Sequence, residues 1–244
     1  MRYLVVADIH ANLTAFEAII TDARRNGDFS IIWCLGDIVG YGPDPHECID
    51  LLRKFEHVCV AGNHDLAAVG MIETSGFNPS AAGANRWTTN QLSAEDTRFL
   101  SRLPFFSRQG DITLVHGSPR EPLWEYVITD QSAEISLDSI TTLHCMVGHS
   151  HLPLMFIKKT DKPSVSQRVL HGSCLQLKEG RILLNPGGAG QPRDNDPRAS
   201  YAILDDARQA ITFYRVVYNV KATQNKMLNA GLPMSLVTRL STGW

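Results

Sequence analysis

Five stretches of this chain share one grammar: an apolar run, a small residue, then a side chain of metal-ligand type. They are Val5-Val6-Ala7-Asp8-Ile9-His10, Cys34-Leu35-Gly36-Asp37, Val58-Cys59-Val60-Ala61-Gly62-Asn63-His64-Asp65, Thr113-Leu114-Val115-His116-Gly117 and Met146-Val147-Gly148-His149-Ser150-His151. Asp8 and His10 stand two apart, as do His149 and His151, a spacing that lets both members of a pair converge on one ion from the loop after a strand. The donors are imidazole nitrogen and carboxylate or amide oxygen, with no thiolate. That mixture suits manganese, iron, zinc, nickel or cobalt, manganese being the expected ion, and argues against a structural cysteine site or an all-oxygen calcium cage. A single Asp or Asn at a strand end is more often a turn residue or helix cap. Seven ligand types at five successive strand ends point instead to two divalent ions about 4 Å apart with Asp37 shared between them, an arrangement suited to hydrolysing a phosphate ester.

The elements that must hold these groups can be read from periodicity. Tyr3 to Ala7 is predicted as a strand, and Leu13, Phe16, Ile19, Ile20 and Ala23 mark a helix closed by Gly27. A second strand ends at Asp37. Asp44 and Pro45 then open a helix, with the acid as N-cap, running to about Phe55, and a third strand ends at Gly62. This βαβαβ start predicts a parallel sheet with right-handed crossovers, whose ligand crevice lies beyond the carboxyl ends of its strands.

Residues 65–102 read as mainly helical, broken at Gly76-Phe77-Asn78-Pro79, with Ser93-Ala94-Glu95-Asp96 as a capping box in which Asp replaces Glu. Hairpins are predicted from Phe105–Gln109 with Ile112–His116 and from Cys174–Lys178 with Arg181–Asn185. Tyr201–Leu204 and Ile211–Val217 form another strand pair, Gln131–Ile140 a short helix, and the tail from Lys221 to Leu240 is helical with a break at Gly231-Leu232-Pro233. No repeat, low-complexity stretch or linker divides the chain. A single domain over residues 1–244 is expected, with the helical tail from about 221 packed on it.

Composition narrows the partners. The 244 residues are 43% hydrophobic and 20% charged, with 23 Lys and Arg against 25 Asp and Glu. A net charge of -2 offers no basic field for stable nucleic-acid binding. No run approaches the roughly 20 apolar residues needed to span a bilayer, and the first strand is interrupted by Asp8 and His10 before it could serve as a signal sequence, so a cytoplasmic location is expected. The five cysteines lack paired short spacing and read as reduced thiols. Oligomeric state is not encoded in any of these features.

Asp8-Ile9-His10, Gly36-Asp37, Gly62-Asn63-His64-Asp65, Val115-His116-Gly117 and Gly148-His149-Ser150-His151, in this order, resemble the five signature blocks of the calcineurin-like metallophosphoesterase superfamily. The resemblance covers roughly residues 1–205. The stretch from Asn185-Pro186-Gly187 to Ala199-Ser200-Tyr201 is similar to the prokaryotic single-domain phosphoesterase and phosphodiesterase branch. It implies a four-layer α/β/β/α sandwich and two bound divalent ions. Asp8, His10, Asp37 and His151 would hold the first ion, and Asp37, Asn63, His116 and His149 the second. A hydroxide bridging the ions would attack phosphorus, and His64 would contact the phosphate and protonate the leaving oxygen. The substrate would be a small phosphate ester, nucleotides and dinucleoside polyphosphates included.

One departure bears on specificity. Where the family's Ser/Thr protein phosphatases carry G-D-x-V-D-R-G, this chain has Gly36-Asp37-Ile38-Val39-Gly40-Tyr41-Gly42. The acid that orients the catalytic histidine and the phosphate-gripping arginine are both missing, which disfavours that alternative and leaves His64 to find another partner, with Asp44, Asp65 or the His116 loop as candidates. Asp65 itself reads first as a helix N-cap. Arg120, Arg193 and Arg198 lie in Gly/Pro-rich loops from which a guanidinium would suit a phosphate. Trp124 and Tyr126 either wall a nucleoside site or pack in the core. His46, His57, His144 and His171 fall outside the blocks and receive no role. A non-catalytic scaffold on the same fold would have lost a ligand or the acid, whereas here all seven ligand types and His64 are present.

Overall fold

The computed structural model describes residues 1–244. The chain runs β1 (Arg2–Val6), α1 (Leu13–Arg25), β2 (Ile31–Cys34), α2 (Pro45–Arg53) and β3 (His57–Cys59), and the three strands pair in parallel. The α1 helix starts where Asn12 Oδ1 accepts Ala15 N–H at 3.2 Å, and it buries the expected stripe of Phe16, Ile19, Ile20 and Ala23. Pro45 opens α2 as predicted, but the Asp44 carboxylate does not cap it. It accepts from Lys226 Nζ at 2.8 Å instead, because the tail brings a cation within reach of a buried acid.

Residues 63–100 form α3 (Asn63–Ala68), α4 (Pro79–Gln91) and α5 (Ala94–Leu100), broken where the Gly-Phe-Asn-Pro run lies. Asn78 caps α4, and the Ser93–Asp96 box forms with Asp96 N–H donating to Ser93 Oγ at 3.1 Å and Ser93 N–H to Asp96 Oδ2 at 2.8 Å. Then follow β4 (Phe106–Gln109), β5 (Ile112–Val115), α6 (Asp130–Asp138), β6 (His144–Met146), β7 (Pro153–Lys158), β8 (Val165–Gln167), β9 (Cys174–Gln176), β10 (Arg181–Pro186), β11 (Ala199–Asp205), β12 (Ala210–Val216), α7 (Val220–Asn229) and α8 (Met234–Arg239).

The strands assemble into two six-stranded sheets, ordered β3-β2-β1-β11-β12-β9 and β4-β5-β6-β10-β7-β8. The hairpins β4–β5 and β11–β12 form as expected. The hairpin expected from Cys174–Lys178 and Arg181–Asn185 does not form. β9 pairs with β12 in the first sheet, and a short 3-10 turn at Leu177–Glu179 delivers the chain to β10 in the second. The reason lies in β10, whose Ile182, Leu183 and Leu184 are apolar and buried on both faces. Such a run belongs in a sheet interior with both ladders filled, here by β6 and β7.

Strand alternation sorts the side chains into layers. Val5, Ala7, Trp33 and Leu35 of the first sheet meet Leu114, Met146, Met155, Ile182 and Leu184 of the second in the core between them. Leu4, Val6, Ile32 and Ile203 face the other way, onto α1 and α2. Val115, Cys145, Phe156 and Leu183 face α6. The result is the four-layer α/β/β/α sandwich. Slipping β1 by one residue would exchange its two buried sets, each large apolar side chain being worth about 1.5–3 kcal/mol, so the register that aims Asp8 and His10 is fixed by packing. Met227, Leu232, Leu236, Val237 and Leu240 of the tail pack on Tyr41, Ala81 and Ala84. The five cysteines are unpaired, Cys174 alone exposed. No helix is long and apolar enough to cross a membrane.

Candidate metal centre

The chain segments leaving β1, β2, β3, β5 and β6 converge at one end of the sandwich, and short hydrogen bonds lock them together. Asp8 N–H donates to Gly36 O at 3.1 Å, His10 N–H to Asp37 O at 2.9 Å and Gly148 N–H to His116 O at 2.7 Å. Side chains join the lattice. Asp37 Oδ1 accepts His64 N–H at 2.8 Å, and Asp8 Oδ1 accepts His149 N–H at 3.1 Å. Asp8, His10, Asp37, His149 and His151 all adopt positive φ, from 48° to 65°. Backbone strain of about 1–3 kcal/mol per residue persists only where surrounding structure enforces it, and it concentrates at functional sites. Gly36, at φ +88°, lets the strands close in, since a Cβ there would stand 2.8 Å from both His116 Nδ1 and Gly62 N.

Two buried clusters result, Asp8 with His10 and His151, and Asp37 with His116 and His149. In each, the potential ligand atoms lie within 4.8 Å of one another. His10 Nε2 is 3.2 Å from His151 Nε2, and Asp8 Oδ1 is 3.6 Å from the latter. His116 Nε2 lies 3.1 Å from Asn63 Oδ1 and 3.2 Å from His149 Nδ1. Asp37 Oδ2 joins the clusters, 3.6 Å from His10 Nε2 and 3.4 Å from His116 Nε2. The structure thus brings these seven side chains together at one end of the sandwich.

Three backbone carbonyls set the imidazole tautomers. His10 Nδ1 donates to Val39 O at 3.1 Å, His151 Nδ1 to Gln191 O at 2.5 Å and His116 Nδ1 to Leu35 O at 2.8 Å. A carbonyl can only accept, so in the neutral rings Nε2 carries the lone pair. Two lone pairs then face each other between His10 and His151, and Asp8 Oδ2 is buried with no hydrogen-bond partner. Both features are costly unless a cation lies among them, and these residues fit a divalent metal. Burial pushes His10 and His151 far below the ordinary imidazole range and His149 down to about 3, leaving neutral rings. It pushes Asp8 up to about 7, against the opposing pull of His116. Burial also disfavours charge on Asp37, but His116, His64 and His10 outweigh it and hold the carboxyl far below its usual range. His116, opposed by burial but facing Asp37, rises to about 9, so one proton there does part of the neutralising that a cation would do.

Beside the clusters lies a cavity of about 190 Å³, lined by Asp37, Asn63, His64, His149 and His151 with Tyr41, Phe77, Trp124, Tyr126 and Arg193. Burial pulls His64 down to about 4, and its Nδ1 has no partner. None of the candidate acids orients it. Asp65 is the third residue of α3 rather than its cap, and its carboxylate accepts from the N–H groups of Asp37, Val39 and Gly62 at 2.9, 3.1 and 3.0 Å. Burial and then Asp37 push Asp65 up to about 7, while the Val39 and Gly62 N–H groups pull towards the anion. His64 is fixed by packing, with the rings of Tyr41 and Phe77 at 4.3 and 4.5 Å, and by its backbone, whose carbonyl accepts Asn85 Nδ2 at 3.0 Å. Gly40 abuts the ring, and a Cβ at that position would lie 2.6 Å from Nδ1.

The three arginines separate. Arg193 lines the cavity, its guanidinium 5.7 Å from the Tyr41 ring. Arg120 is engaged by Glu125 and Arg198 by Asp196, and neither lines the cavity. Sequence reasoning missed Gln191, beyond β10, whose carbonyl holds His151 and whose Oε1 accepts from Arg239 at 3.1 Å. It also missed Asn85 and Phe77. The glutamine's part is played by its backbone, so its residue type carries no signal. Phe77 lay in a segment legible only as a helix break.

The chain belongs to the calcineurin-like phosphoesterases, whose family pattern matches residues 1–165, and it is a phosphoric ester hydrolase. A metallophosphoesterase structure from Sphaerobacter thermophilus is 46% identical, with a TM-score of 0.90 over 100% of this chain and 99% of its own. An uncharacterised protein of Methanocaldococcus jannaschii is 35% identical over 98% of this chain and 97% of its own length. A symmetrical bis(5'-nucleosyl)-tetraphosphatase of Pectobacterium atrosepticum is 26% identical over 47% of this chain and 42% of its own.

Proposed function

We propose that this protein hydrolyses small phosphate esters at a centre of two divalent cations, with Asp8, His10, Asp37 and His151 holding one and Asp37, Asn63, His116 and His149 the other. The observation that carries this reading is Asp37 Oδ2, which stands within 3.6 Å of His10 Nε2 and 3.4 Å of His116 Nε2 and so faces both clusters. When bound, such cations supply the positive charge that activates a water and stabilises phosphoryl oxygens in the transition state. The mixed nitrogen and oxygen donors suit manganese, iron, zinc, nickel or cobalt, and manganese is our first candidate.

The residues around the cations divide the remaining work. Val39, Leu35 and Gln191 carbonyls hold the imidazoles in the ligating tautomer, while Asp8 and Asp37 offset the accumulated positive charge. His64 borders the same cavity and is neutral near pH 7 in the metal-free protein. A phosphate anion beside it raises its proton affinity, which suits it to deliver a proton to the leaving oxygen. Arg193, also in the cavity wall, is suited to hold non-bridging oxygens, whereas Arg120 and Arg198 are occupied by Glu125 and Asp196. Gly40 leaves no room for the acid used by Ser/Thr protein phosphatases, and the intact donor set disfavours a scaffold. We take residues 1–244 as one functional unit, since the tail packs on Tyr41 beside the cavity.

The test is to strip the protein with a chelator, restore manganese, and follow bis-p-nitrophenyl phosphate, p-nitrophenyl phosphate and p-nitrophenyl acetate. Metal-dependent cleavage of a phosphate ester but not of the acetate is expected. Protein loaded with two metals per chain that cleaves no phosphate ester would refute the proposal.

A further inference from the structure

The cavity beside the two clusters has an aromatic outer wall that phosphate chemistry alone does not explain. Phe77 comes from the segment between α3 and α4, and Trp124 and Tyr126 from the segment between β5 and α6. The Trp124 and Phe77 rings meet edge to face at 5.6 Å, and Phe77 packs on His64 at 4.5 Å. Tyr126 lies flat on His149, with ring centroids 4.2 Å apart and planes 11° apart. Trp124 and Tyr126 remain 38% and 48% exposed and join none of the buried apolar clusters.

Their exposure is built in. Leu123 and Val127, on either side of them, are buried in separate cores. Glu125, between them, accepts from Ser118 and Arg120, while Gly117 N–H and Ser118 N–H donate to Pro122 O and Glu121 O at 2.6 and 3.1 Å. The loop is thereby fixed with two large rings turned to the cavity. These rings differ from scattered surface apolar groups in lining the cavity together with Phe77, where they offer an apolar face to whatever enters it. The cavity has the phosphate-facing His64 and Arg193 and these rings in one lining, so a phosphoryl group and an attached ring can be held together there.

We infer that the ester group of the substrate is a nucleoside, with its base stacked on Trp124 and Phe77 while the phosphate lies at the metal clusters beside His64 and Arg193. This rests on the proposed function and names the substrate class for that site. Base identity is weakly read, because stacking uses the ring face that every base offers.

The experiment compares adenosine 5'-monophosphate, ribose 5-phosphate and inorganic phosphate as ligands of the full-length, manganese-loaded protein, by calorimetry and by inhibition of bis-p-nitrophenyl phosphate cleavage. Ribose 5-phosphate carries a hydroxyl where adenosine monophosphate carries its base, and the rest of the two ligands is the same. The nucleotide should bind roughly 10-fold more tightly, and Trp124→Ala should remove most of that difference while leaving ribose 5-phosphate affinity within about 2-fold. Equal affinity of the two ligands for the wild-type protein overturns the inference even if the variant fails to fold, as does a preference that survives in a folded variant. Either result leaves the hydrolase proposal standing if phosphate esters are still cleaved. Absence of both cleavage and phosphate binding would remove that proposal, and this inference with it.

Discussion

Replacing Asp37 by Asn is the sharpest probe of the centre. The carboxylate has two separable duties. Oδ1 accepts His64 N–H at 2.8 Å, and Oδ2 faces both clusters. Asn keeps an acceptor oxygen for His64 and is among the side chains that best tolerate the φ of 54° found here, so the local backbone should survive where Ala would lose both supports. What disappears is one negative charge facing two cations. At about 4 Å and an effective dielectric constant of about 20, that charge is worth ~4 kcal/mol against each unit of cation charge, or about 10³ in affinity. After dialysis against micromolar manganese, elemental analysis should therefore find both ions depleted, with circular dichroism unchanged. A folded variant retaining two ions per chain at wild-type affinity would refute the shared-ligand assignment.

His64→Ala should lower turnover by about 100-fold or more with metal content intact, because the side chain borders the cavity but belongs to neither cluster; kinetics paired with elemental analysis will tell. Asp65→Asn leaves one oxygen where two accept three backbone N–H groups, at about 1–3 kcal/mol for each group left unpaired, so Tm should fall by roughly 5 °C; an unchanged melting curve would show that those contacts contribute nothing. His46 binds Asp96 at 3.0 Å, and that contact raises its pKa; Asp96 is lowered, the Ser93 and His46 bonds outweighing burial. The histidine's stabilisation is complete below its unfolded pKa of about 6.5 and lost as pH rises through the raised value, whereas that of Asp96 is present above about 3.9 and lost as pH falls through the lowered one. His46→Gln should therefore flatten the decline of Tm on the alkaline side of neutrality, and an unaltered slope there would contradict the pairing.

Much of the local layout around the site is legible in the sequence. The apolar runs into Asp8, Asp37, Asn63, His116 and His149 each declare a buried strand and its end, and the donor types declare the ion chemistry, because period and ligand softness belong to contiguous residues. The sequence pattern also carried the parallel start, the breaks of the helical segment and the Ser93–Asp96 box. It did not carry the partners. β9 and β10 look like two arms of a hairpin along the chain but enter different sheets, since only the assembled sandwich offers β10 two ladders and two apolar faces. Arg120, Arg193 and Arg198 sit in equally loop-like stretches, and distance to Glu125, Tyr41 and Asp196 decides which of them borders the cavity.

The amino-acid order by itself determined which side chains can ligate and at which strand ends they stand. The tertiary structure alone decided that Gln191 offers its carbonyl to His151, that Arg193 rather than Arg120 or Arg198 borders the cavity, and that Trp124 and Tyr126 stay exposed beside it. The first two depend on groups far apart in the chain, His151 with Gln191 and Arg193 with Tyr41. Their separation is set by sheet order and by the left-handed turns that close packing imposes, and neither leaves a local mark in the chain.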